Sequence, residues 1–150
     1  MQEEAKKRAK QIEGLQKEFY QQGMKMAREK KRRLLILLTE KMKANKEGVK
    51  PELLETVYKV PFLKLKNDLK AIIEAYTNDI VFEDILIKSD ADGWNLVGRI
   101  NKYYKDNHLG NKIGAAVYKD FNIDEADAII REYREWALKE YEQYIKSMEA

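Results

Sequence analysis

The sequence predicts a mainly α fold, a helical domain with a long basic N-terminal helix and a long C-terminal helix. Three observations carry this. Apolar residues recur three and four apart over long stretches, and the clearest stripe is Phe62, Leu65, Leu69, Ile72, Ile73 and Tyr76. Only 2 of the 150 residues are proline, so few positions forbid a helix. Charged residues make up 37% and hydrophobic residues 44% of a chain long enough to bury a core, which suits a folded protein better than a disordered one.

From Glu3 to about Lys46 the residues are helix formers. Ala5, Ala9, Ile12, Leu15 and Phe19 trace one narrow stripe, which needs a partner helix from this chain or another copy. Gly14 and Gly23 each weaken the helix by about 1 kcal/mol relative to Ala, and a break is expected near Gly23. Residues 1–27 then form a helical arm, 28–88 a basic helical unit, and 93–150 an assembly unit packing on it within one domain. Gly48 sits where a helix C-cap is expected; Pro51 opens a short helix over 52–59, and Pro61 ends it and starts the stripe helix.

Helices at 28–44, 51–59 and 61–77 have the order of a helix-turn-helix unit whose third helix enters the major groove. Ile80–Ile87 is rich in β-branched residues, although Phe82, Ile85 and Leu86 also fit a helical face; as a strand it would be the wing. Asp90 and Asp92 before Gly93 suit a turn and a helix cap. They fail as a calcium loop, because Lys88 and Arg99 would fill positions that need acids. Trp94, Val97, Ile100 and Tyr104 mark a helix running to about Asn107. His108–Asn111 reads as a turn, Ile113–Phe121 as a short helix, and Asn122 as the N-cap of a last helix, with Glu125 at capping-box spacing. Ala126, Ile130, Tyr133, Ala137, Tyr141, Tyr144 and Met148 give that helix a near-heptad stripe, so it should pack lengthwise on another.

The charge is divided unevenly. Residues 1–50 hold 15 Lys/Arg against 7 Asp/Glu, a net +8, which leaves −5 for the remainder of a chain whose total is +3. Lys30, Lys31, Arg32 and Arg33 run directly into the apolar Leu34–Leu38, and Lys64, Lys66 and Lys70 lie opposite the 62–76 stripe. These seven cations are the candidate phosphate contacts of a nucleic-acid-binding protein, DNA ahead of RNA. Ile12, Leu15, Phe19, Tyr133, Tyr141 and Tyr144 are the candidate protein interface of a homo-oligomer, since tyrosine at helical spacing buries its ring and wets its hydroxyl.

Other functions find little support. There is no cysteine, one histidine (His108), no glycine-rich phosphate loop and no serine beside a histidine, so no catalytic residue, metal ligand or cofactor is assigned. The longest apolar run, at 34–38, is too short to span a bilayer, and the start of the chain lacks a signal peptide, which points to a soluble cytoplasmic protein without a membrane partner. The expectation is a small, oligomeric, regulatory or accessory nucleic-acid-binding protein. The competing expectation is a non-enzymatic assembly or adaptor protein, of the kind viruses and mobile elements use as accessory factors.

Overall fold

The computed structural model describes residues 2–23, 26–46 and 62–149. The expected short helix at 51–59, the Pro61 break, and the side chains of Lys64 and Lys66 lie outside the described residues. Six helices are found among them, and no strand: α1 Gln2–Gln21, α2 Arg28–Lys46, α3 Phe62–Phe82, α4 Ala91–Asp106, α5 Leu109–Tyr118 and α6 Ile123–Glu149. The mainly α prediction holds.

The N-terminal stretch breaks where its glycine stands. Gly23 adopts φ +57°, a left-handed conformation that glycine reaches without steric cost, and α1 ends just before it. The chain then reverses. Arg8 meets Glu40 and Glu18 meets Lys30, each pair at 2.8 Å, which sets α1 and α2 antiparallel. The arm therefore folds back, burying Ile12 and Phe19 in the same cluster as Leu34, Leu35 and Leu38 of α2. Each such side chain contributes roughly 1.5–3 kcal/mol when fully removed from water.

Helix α3 lies at the centre. It packs on α2, α5 and α6, and its Asp68 reaches α1, accepting hydrogen bonds from Gln16 (2.8 Å) and the Tyr20 hydroxyl. The stripe Leu69, Ile72, Ile73, Tyr76 continues through Thr77 to Val81, all of them buried. That continuation overturns the strand considered at 80–87. Ile80 to Phe82 are the last turn of α3, Ile85 plugs the core from the following loop, and Leu86 is exposed. A strand would need a neighbour to share its ladder, and none of the described segments supplies one, so packing outweighs β propensity here.

The remaining elements follow their local chemistry. Asp90 caps α4 by accepting from the Gly93 amide at 2.6 Å, the cap role expected of it. Asn122 accepts from the Glu125 amide at 3.1 Å and starts α6 as expected. Helix α5 begins at Leu109, four residues earlier than expected, so the segment read as a turn is its first turn. Leu109 and Ile113 are both buried one turn apart, which draws the helix back to His108. Along α6, Ala126, Ile130, Tyr133, Ala137 and Tyr144 are buried against α3, α4 and α5, the lengthwise packing that the stripe predicts.

Candidate nucleic-acid interface

Of the four consecutive cations at 30–33, three are committed inside the chain. Helix α2 turns Lys31 onto its buried face beside Leu34 and Leu35, where the side chain is 2% exposed and its ammonium pairs with Asp79 at the end of α3. Arg32 reaches across to α6 and donates to Asp127 at 3.1 Å, with Asp124 at 3.7 Å. Lys30 pairs with Glu18 of α1. Arg33 remains exposed and makes no ion pair among the described residues.

Four helices meet in the seam that holds these pairs. Arg28 binds Glu83 at 2.5 Å and Arg134 of α6 binds Asp84. Tyr76 donates to the second oxygen of Asp127 at 2.7 Å, so that carboxylate serves Arg32 and Tyr76 together. Burial, reinforced by Asp127, pushes the Tyr76 hydroxyl up to about 12. Hydrogen bonding to Glu83 holds the Arg28 proton more tightly, and the same contact holds Glu83 below the usual carboxylate range. Three of these pairs join the basic front to the acidic rear: Arg28–Glu83, Lys31–Asp79 and Arg32–Asp127. Much of the charge asymmetry is thereby complementarity between helices of one molecule.

Lys70 is exposed on α3, one turn from exposed Glu74. Among the described side chains of α3, from residue 67 onward, the outward strip is narrow, Asn67, Lys70, Glu74 and Asn78, because three neighbouring helices cover the rest. Among the candidate interface residues, Ile12, Phe19, Tyr133 and Tyr144 are buried within the chain, while Leu15 and Tyr141 are half-buried. Tyr133 donates to the Ile100 carbonyl at 3.1 Å, and Tyr144 to Asp90 at 3.3 Å.

Other cations stand free. Lys6, Lys7, Lys10 and Lys17 are exposed on α1 and unpaired among the described residues. At 100° per residue they fall on one outward stripe, opposite Ile12 and Phe19, which holds Glu3 and is flanked by Glu13 and Glu18. The signal is readable in the sequence as the complement of the apolar stripe, but the contiguous cluster at 30–33 draws attention away from it. Exposed Trp94 (68%) and Leu86 (79%) also escape sequence reasoning, because their stripes make them look like core.

No helix among the described residues is long and apolar enough to cross a membrane, and none of their His, Asp and Glu residues gather three together to hold a metal ion. Comparison with protein-family models, curated proteins and solved structures finds no match to this chain.

Proposed function

We propose that the protein binds nucleic acid without catalysis, through the outward stripe of α1. The observation that carries this reading is the set of unpaired cations Lys6, Lys7, Lys10 and Lys17 on one helix face, with exposed Arg33 of α2 beside the hairpin's two bridges. From Lys6 to Lys17 the helix advances about 16 Å at 1.5 Å per residue. A nucleic-acid strand presents a phosphate about every 3.4 Å of helix axis, so four cations face roughly five phosphates. The surface is a docking ridge rather than a groove-reading helix, and it suits recognition of backbone charge more than of base sequence.

The test is retention of duplex and single-stranded oligonucleotides across a salt series. Four contacts give a slope of log affinity on log salt of about −3.6 for duplex and about −2.8 for single strand. Replacing Lys7, Lys10 and Lys17 with Gln should make the duplex slope shallower by about 2.7 while helix content stays the same. An unchanged slope, or no binding of the native chain at low salt, refutes the proposal.

A second reading has its own support in Trp94 and Leu86, two large apolar side chains left in water. Exposed Trp is the residue type most often found anchoring protein contacts. On that reading the chain is an assembly or adaptor protein, and self-association measured by sedimentation should disappear in Trp94→Ser with Leu86→Ser. Survival of the same oligomer in that variant removes this reading.

A further inference from the structure

Between α3, α4 and α5 lies a cleft of about 380 Å³, distinct from the α1 stripe and from the ion-pair seam. Its volume is some ten times that of a water molecule and falls in the range of small-ligand sites. Two tyrosines furnish its walls. Tyr104 packs against Tyr133 with ring centroids 5.5 Å apart, and its hydroxyl lies so close to α5 that a Cβ at Gly110 would approach it to 2.9 Å. Tyr118 lies over Gly114, where a Cβ would come within 3.0 Å of the ring. The two glycines, one turn apart, let both rings settle against the helix.

The polar groups of this cleft are unused by the fold. Neither the Tyr104 nor the Tyr118 hydroxyl has a hydrogen-bond partner among the described residues. Lys70 and Glu74, one turn apart on the rim, form no ion pair with each other or with any other described residue. Asn111 adds an exposed amide. Burial raises both hydroxyls, Tyr118 to about 12, so they are neutral donors and acceptors across the physiological range.

We infer that this cleft binds one nucleoside monophosphate unit, its base between Tyr104 and Tyr118 and its phosphate at Lys70. Aromatic rings accept any base by its π face, at about 1–3 kcal/mol per base in single-strand binders, equivalent to roughly five- to 150-fold in affinity. The Asn111 amide and the Glu74 carboxylate offer both donors and acceptors to the edge of a base. Lys70 supplies the one cation among the described residues that line the cleft. The choice of ligand rests on the nucleic-acid reading above; the site itself is separate from α1. A duplex keeps its bases stacked, so the unit comes either from a single strand or as a free mononucleotide.

The experiment titrates the whole chain with the four 5′-monophosphates, the four nucleosides and inorganic phosphate, following the ring resonances of Tyr104 and Tyr118. Monophosphates should move both rings and bind about three- to tenfold more tightly than the nucleosides, the effect of one exposed charge-assisted contact. Lys70→Gln should abolish that difference. Ala115→Phe, which fills the cleft from an exposed helix position, should weaken every base-containing ligand at least tenfold. Displacement of the monophosphate by a single-stranded oligonucleotide but not by a duplex identifies the strand as the source; no displacement by either identifies the free nucleotide. Monophosphates that bind no better than inorganic phosphate, or that ignore Ala115→Phe, overturn the inference. If oligonucleotide retention keeps its salt slope after the α1 lysines are replaced while the tyrosine shifts persist, the α1 proposal fails and this one stands. The converse result fails this one alone.

Discussion

The buried ion pair between Lys31 and Asp79 is lopsided, and the lopsidedness has a measurable consequence. Lys31 is 2% exposed and Asp79 39%. Removing the carboxylate by Asp79→Ala strands an ammonium among Leu34, Leu35 and Leu38, and uncompensated buried charges of this kind cost about 3–5 kcal/mol. Removing the ammonium by Lys31→Met keeps most of the buried stem volume and leaves a carboxylate that water can reach, so its cost should be about 0–1 kcal/mol. The double variant should resemble Lys31→Met alone, giving a coupling of about 3 kcal/mol between the two sites. Urea denaturation followed by helical circular dichroism reads all three. For a chain this long 1 kcal/mol corresponds to about 2–4 °C, so Asp79→Ala should melt roughly 10 °C below the native protein. Equal losses for the two single variants, or a loss below about 1 kcal/mol for Asp79→Ala, would refute the reasoning. Lys31→Met should also leave oligonucleotide retention intact, since that cation is not available to a phosphate.

Other outcomes follow from local geometry. Gly14 lies inside α1 with open space about it, so Gly14→Ala should stabilise the protein by about 1 kcal/mol, whereas Gly23→Ala at φ +57° should destabilise it by a similar amount; chemical denaturation distinguishes the signs. Tyr76 and Tyr118 are each raised to about 12, so the folded chain keeps protons that the unfolded chain loses near 10. Their contribution to stability is complete below pH 10 and is lost as the pH rises through 12. Absorbance titration of native and urea-unfolded chain should show that offset. Gly114→Leu should drive Tyr118 from its place and lower stability by about 1–3 kcal/mol, read by thermal melting.

Helix positions were legible because period and punctuation agreed: Gly23 breaks the first segment, Asp90 and Asn122 cap where their side chains can reach an amide, and the α6 stripe is buried as spaced. Ile80–Ile87 was ambiguous for a physical reason. Its β-branched residues satisfy either geometry, and the burial of Val81 in the core goes with α3 continuing to Phe82, after which the segment is turn and loop. Lys31 shows a different blind spot. Its neighbours Lys30, Arg32 and Arg33 make it look like surface, yet a position three residues before Leu34 and four before Leu35 shares their face. Tyr104 was visible only as a residue of one stripe; its place in the cleft depends on Gly110 in another helix, six residues further along.

A run of like charges in a sequence records composition, whereas a binding surface requires charges with nowhere else to go. In the seam, Asp79, Asp127 and Glu83 take up Lys31, Arg32 and Arg28, so the most conspicuous basic cluster binds the chain to itself. Lys6, Lys7, Lys10 and Lys17 of α1 make no ion pair among the described residues, and the neighbouring pairs Arg8–Glu40 and Lys30–Glu18 hold that helix in place while these lysines stay exposed. The ion pair that occupies Lys30, together with Arg8–Glu40, therefore helps fix the platform on which Lys6, Lys7, Lys10 and Lys17 are displayed. This predicts opposite salt responses for two readouts of one helix. Salt should weaken oligonucleotide retention steeply through the free lysines, but should change the stability of the hairpin by only a few tenths of a kcal/mol per exposed pair.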